Sequence, residues 1–193
     1  MSWTLLLALV PNAFAAQPDN DLRLALRGVA ESWAEPAVAA IYKGGAFSSG
    51  LAVVAPIHKS FFVDVEFTYR KVEDERDQQQ FEILPTTAIV GIHMPGPDNV
   101  DGYVGIGPSV VSWRERYPVR RGTEVMSGTK FGAEARAGVR FAWDIIEPTM
   151  SGTGSPFESF ELDLFGARRV QAPIGKGLDL SAWRVGLGLT VVL

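Results

Sequence analysis

Charged side chains in this chain recur at every second residue of otherwise apolar stretches. Glu134, Arg136 and Arg140 share one parity of Lys130–Asp144, while Glu161 and Asp163 share one parity of Phe157–Arg168. Asp64, Glu66 and Arg70 do the same in Phe61–Val72, and Arg184 in the last stretch. Two signs at similar spacing suit ion pairing across a confined space more than proton transfer or nucleophilic attack. Opposite charges on facing strand positions contribute about 0.2–1 kcal/mol when solvated, whereas an uncompensated charge in a dry interior costs several kcal/mol. The candidate site is therefore a charge network of Asp64, Glu66, Arg70, Glu134, Arg136, Arg140, Glu161, Asp163 and Arg184. It either plugs a narrow interior or lines a polar pore, and the mixture of signs favours the plug.

Other residue types that carry chemistry are sparse. His58 and His93 are the only histidines. They fall at the ends of neighbouring segments, so a zinc or pH-sensitive pair competes with solvated turn residues, which is the preferred reading. Arg114, Arg116, Arg120 and Arg121 cluster in a Gly-containing stretch read as a long basic loop, Glu115–Thr129. Arginine forks suit phosphate oxygens. The glycines of GYVGIGP precede no helix whose N-terminus could hold a nucleotide, and no serine–histidine pairing is apparent. With no cysteine in the chain, thiolate metal sites and disulfides are excluded. No cofactor and no enzyme activity are expected.

The elements that position these charges are strands. Side chains alternate between the two faces of a strand, and the last stretch shows it plainly. Val185, Leu187, Leu189, Val191 and Leu193 oppose Arg184, Gly186, Gly188 and Thr190. Phe61, Val63, Val65, Phe67 and Tyr69 alternate with Phe62, Asp64, Glu66, Thr68 and Arg70; Phe131, Ala133, Ala135, Ala137, Val139, Phe141 and Trp143 share a face opposite the charges. Gly50–Ile57, Phe81–Met94 and Gly102–Arg114 read as further strands, with Pro56–Ser60, Glu73–Gln80, Pro95–Asp101 and Glu147–Ser155 as connections. Asn20–Ala30 reads as a strand, but Leu22, Leu26, Val29 and Trp33 also sit at helical spacing. The expected fold class is all-β, an eight-stranded antiparallel transmembrane β-barrel in an up-and-down meander. Phe131, Val139, Leu162, Leu187 and Leu189 should face lipid. Trp113, Trp183 and Tyr69 at one rim, and Phe61, Trp143 and Phe157 at the other, would form aromatic girdles. A lipocalin-like soluble barrel, with the apolar face inside, is the alternative. Pro85 and Pro108 lie on adjacent strands, where a bulge or locally missing ladder bonds are expected because proline has no N–H.

The length suits one domain, and the net charge of −4 offers no basic signature for nucleic acid. Thr4–Val10 is a short apolar run followed by Pro11, and Ala13-Phe14-Ala15 has the small-x-small cleavage pattern. Residues 1–15 are read as a signal peptide and 16–193 as the barrel domain.

Tyr103-Val104-Gly105-Ile106-Gly107, the strand FGAEARAGVRFAW (Phe131–Trp143) and the ending RVGLGLTVVL resemble the eight-stranded outer-membrane barrels of the OmpA, OmpX and OmpW superfamily. The resemblance implies residence in the outer membrane of a Gram-negative-type bacterium after export. The implied partners are the lipid bilayer, outer-leaflet glycolipid, the barrel-assembly machinery and an envelope protein. Arg114, Arg116, Arg120 and Arg121 would contact glycolipid phosphate in one reading; an ordinary solvated basic loop is the preferred one. In that family the final residue is typically aromatic, and this chain has Leu193 there. The implied function is that of a structural or interaction protein of the envelope with a plugged lumen; the alternative is a narrow channel for small solutes.

Overall fold

A computed structural model describes residues 22–34, 36, 47–58, 60–73, 79–96, 100–119, 122–142, 159–172 and 179–193. The proposed signal peptide, Trp143, Phe157, Arg120, Arg121 and the turn at 147–155 lie outside them. Among the described residues eight strands form one sheet closed on itself. They are β1 (Arg23–Trp33), β2 (Phe47–His58), β3 (Phe61–Glu73), β4 (Gln80–Pro95), β5 (Val100–Val119), β6 (Gly122–Ala142), β7 (Ser159–Gln171) and β8 (Ala182–Val192). Each pairs antiparallel with its successor. β8 returns to β1, with Arg23 opposite Val192 and Trp33 opposite Ala182.

The faces sort as the alternation requires. Leu26 is 62% exposed and Phe131 65%, whereas Asp64, Glu66 and Glu134 are buried to 1% or less. A water-soluble barrel would bury the first set and expose the second. The outward parity of β3 is apolar from Phe61 to Tyr69, that of β8 from Trp183 to Val191, and that of β6 from Phe131 to Phe141. Toward the loop end this belt gives way to Lys71 on β3 and Arg114 on β5, while on β7 Val170 continues it past Arg168. Membrane-spanning barrels carry such an outward apolar band, about 25 Å tall.

The first strand is extended from Arg23 to Trp33, not helical. Helical spacing loses because Ala25, Arg27, Val29, Glu31 and Trp33 all find the interior, and only a strand supplies β8 with backbone partners. At the other parity of β2, the register shifts between Pro56 and His58. Pro56 is therefore inside the strand, opposite Phe62, not in the connection, and Ala55, opposite Val63, is buried. A bulge re-aims the chain where proline cannot donate.

The expected basic loop Glu115–Thr129 is instead a continuation of the β5–β6 hairpin. Arg116 pairs with Val125, Tyr117 with Glu124, Pro118 with Thr123 and Val119 with Gly122. The Tyr117 hydroxyl donates to Glu124 at 2.7 Å. Gly, Ser and Thr made this stretch look like a loop, yet their small side chains suit a ladder open to water on both faces. Gly122 has φ of 144°, a conformation that only glycine adopts without strain, and it starts β6 directly after the link.

Trp113 corrects the expected girdle. It lies on the inward parity of β5 and packs against an interior cluster of Trp33, Val72, Phe81, Ile83, Val111, Leu180 and Ala182. Tyr69, Trp183 and Phe61 do face outward.

Ladder bonds are missing at the prolines while the register holds. Along β4–β5 the pairing runs to Thr87–Ser109 and resumes at Val90–Ile106, omitting Ala88 opposite Pro108. Along β3–β4 it stops at Phe67–Thr86 and resumes at Arg70–Ile83, omitting the position of Pro85. The two gaps flank β4 on opposite sides. Amide exchange at Tyr69, Ala88 and Ile89 is expected to be faster than at Val63 or Val104, measured by mass spectrometry in detergent; uniform protection along β4 would contradict the gaps.

Candidate functional site

The interior of the closed sheet holds the charges. Inward positions of β1, β3, β6, β7 and β8 converge because alternate residues of every strand point to one narrow space, which in eight strands is just wide enough for side chains to fill. Arg27 of β1 donates to Asp64 at 2.7 and 3.0 Å, to Glu66 at 2.8 Å and to Asp163 at 3.1 Å. Arg136 of β6 reaches Asp64 at 3.1 Å, Glu66 at 3.0 Å and Glu134 at 2.8 Å. Arg184 of β8 reaches Glu66 at 2.6 Å, Glu134 at 2.6 Å and Glu31 at 2.9 Å. Every carboxylate in this lattice meets at least two partners, and three of the arginines bridge strands on opposite sides of the lumen.

Aromatic faces complete the enclosure. Phe165 lies beneath both Arg136, at 4.5 Å, and Arg27, at 5.3 Å. Arg140 is stacked on Phe62 at 4.9 Å and on Tyr103 at 4.5 Å, and the Tyr103 hydroxyl donates to Asp163 at 2.8 Å. The glycines of the inward parity make room for these rings. A Cβ on Gly186 would collide with Phe165, and one on Gly138 with Tyr103. On the loop side the lattice ends under the apolar cluster of Trp33, Phe81, Ile83 and Leu180, each buried.

Seven of the nine charges singled out from the sequence, Asp64, Glu66, Glu134, Arg136, Arg140, Asp163 and Arg184, lie in or against the lattice. Arg70 sits at its loop end, 3.6 Å from Glu31. Glu161 stands apart near the turn end, 3.4 Å from Arg23. Arg136 pairs across the lumen and along its own strand, not with the facing strand β7. Sequence reasoning missed Arg27, Glu31 and Arg169. The first two were hidden by the helical spacing within β1, although they share the parity of Ala25. Arg169 shares the parity of Asp163, one residue beyond where the seventh strand was expected to end.

The remaining candidates are dispersed. His93 stacks on Phe62 at 4.7 Å and His58 on Phe61 at 6.4 Å. Among the described residues no group of three or more His, Cys, Asp or Glu could hold a metal ion. Arg114 is exposed and Arg116 partly so, on the outward side of β5 above the apolar belt.

Solved structures share this architecture. Neisserial surface protein A superimposes with a TM-score of 0.57 at 14% identity, over 90% of this chain and 97% of that one. Ail, the attachment invasion locus protein of Yersinia pestis, gives 0.54 at 12% identity, with the same coverage. The outer membrane protein OprG from Pseudomonas aeruginosa gives 0.51 at 10%, over 90% and 95%. The chain has the fold of an eight-stranded outer-membrane β-barrel. No protein-family model matches the sequence, and no curated protein does. At such low identities the fold is recognised by its closed meander and its inverted polarity, apolar outside and ionic inside.

Proposed function

We propose that this outer-membrane barrel is a non-conducting structural and interaction protein of the envelope, held rigid by its ionic lumen and presenting the β5–β6 hairpin outside. One observation carries the reading: the lattice of Arg27, Asp64, Glu66, Glu134, Arg136, Asp163 and Arg184 is almost wholly inaccessible to solvent. Paired long side chains occupy the path that a solute would need. Separating them in a low dielectric is costly. The hairpin continues past Arg116, the last β5 residue paired to β4, and exposes Val125 and Met126 at 50% each, which suits contact with another surface. Ail, of the same fold, has been solved with the heparin analogue sucrose octasulfate.

The same reading places the chain in the outer membrane of a Gram-negative-type bacterium, inserted by the barrel-assembly machinery. Arg114 and Arg116, at the upper limit of the apolar belt, would meet the phosphates of outer-leaflet glycolipid, with Arg120 and Arg121 following in sequence. No catalytic step is assigned.

Planar-bilayer recording tests the reading against a narrow channel for small solutes. Wild-type protein is expected to show no steady conductance. Arg136→Ala combined with Arg140→Ala removes the guanidinium that joins Asp64, Glu66 and Glu134 and the one stacked near the turn end, and is expected to open a leak. Long-lived wild-type channels would promote the transport reading.

A further inference from the structure

Among the described residues fully buried guanidiniums outnumber fully buried carboxylates. Arg27, Arg70, Arg136, Arg140, Arg169 and Arg184 face Glu31, Asp64, Glu66, Glu134 and Asp163, all 3% exposed or less. Arginine does not shed its proton to relieve the surplus. The surplus is also localised. Glu31 is one carboxylate shared by three arginines: Arg184 at 2.9 Å, Arg169 at 3.3 and 3.4 Å, and Arg70 at 3.6 Å. Arg184 is satisfied elsewhere by Glu66 and Glu134, so Arg70 and Arg169 compete for what remains. None of the three nitrogens of Arg70 has a hydrogen-bond partner, although its side chain is 1% exposed. The Nε of Arg169 has none either. Both arginines approach the same oxygen, Glu31 Oε2, and so lie within two contact lengths of each other.

We propose that the barrel interior binds one small monovalent anion of the halide class between Arg70 and Arg169. A single negative charge there balances the surplus and gives the unpartnered N–H groups an acceptor, which a buried cation otherwise lacks at a heavy desolvation cost. Trp33 supports the site, its ring face 4.8 Å from the Arg70 guanidinium. Gln171, two residues from Arg169 on the same face, is buried with its amide nitrogen unpartnered, and it supplies a neutral donor. Arg140, whose two terminal nitrogens are also unpartnered, is less suited. It is stacked on two rings, and its backbone neighbour on β7 is Asp163. The apolar cluster above Arg70 admits a monatomic ion better than an organic acid. The site is independent of whether the barrel conducts: bilayer currents test the seal, and the experiment below tests the anion.

The probe is bromide. Folded protein refolded and crystallised in sodium bromide is expected to give an anomalous-scattering peak between the Arg70 and Arg169 side chains. Ordered water there, or bromide confined to the surface, would overturn the proposal. In solution, the unfolding midpoint by heat-modified electrophoretic mobility should rise with chloride or bromide at constant ionic strength over sodium gluconate, because a ligand bound only by the native state stabilises it by mass action. Arg70→Met and Arg169→Met should lose that dependence, and Lys71→Gln, on the outer surface, should retain it. Equal halide dependence in all of them would mark a surface salt effect and refute the site. If the arginine variants do not fold, the wild-type bromide map decides alone.

Discussion

Glu66→Leu is expected to destabilise the barrel by about 3–5 kcal/mol, the range observed when one partner of a buried ion pair is removed. Three guanidiniums converge on that carboxylate, from Arg27 at 2.8 Å, Arg136 at 3.0 Å and Arg184 at 2.6 Å. The intact lattice need not add much net stability, because desolvating its members offsets most of their attraction. Deleting one carboxylate is different, since three cations lose an acceptor in a space that water does not reach. Urea titration of folded protein in lipid vesicles measures the effect. Glu66→Gln should recover part of the loss through its remaining carbonyl acceptor. A loss below about 1 kcal/mol, the ceiling for most exposed pairs, would mean that water reaches the lattice and that the lumen is wet.

Leu187→Arg should cost about 2–4 kcal/mol if the residue lies near the bilayer midplane. Leu187 is on the outward parity of β8, 50% exposed, between Val185 and Leu189 and opposite Leu164 of β7. The same substitution at Trp183, at the loop end of that parity, should cost far less, because an interfacial arginine reaches headgroups. The measurement is again urea unfolding in vesicles. Equal and small costs at the two positions would contradict the lipid-facing belt.

Much of the architecture was legible in strands whose two faces differ sharply in polarity. β3, β6 and β8 declare themselves because an apolar series opposes a charged or glycine-rich one without interruption. β1 was ambiguous for a physical reason: with leucine at both two- and four-residue spacing, only the requirement that β8 find a partner decides. The β5–β6 hairpin was misread because beyond the membrane neither face is buried, so the periodicity that reveals strands disappears. Within the site, parity identifies which charges point inward, but not which of them meet. Arg136 has Ala167 as its backbone neighbour on β7, yet its ion pairs cross the lumen to β3. Such contacts depend on barrel tilt and side-chain length, which alternation does not encode.

The span of these contacts along the chain bears on how the barrel can be made. The pair between Arg184 and Glu66 joins residues 118 positions apart, and that between Arg27 and Asp163 joins residues 136 apart. A hairpin inserted alone would bring Asp64 and Glu66, or Glu134 and Arg136, into hydrocarbon with most of their partners still elsewhere. Stepwise, hairpin-by-hairpin entry therefore meets an electrostatic barrier that falls only when β1 and β8 draw together. Strand closure and dehydration of the lumen should occur in a single concerted step, with water retained around the carboxylates until the last seam forms.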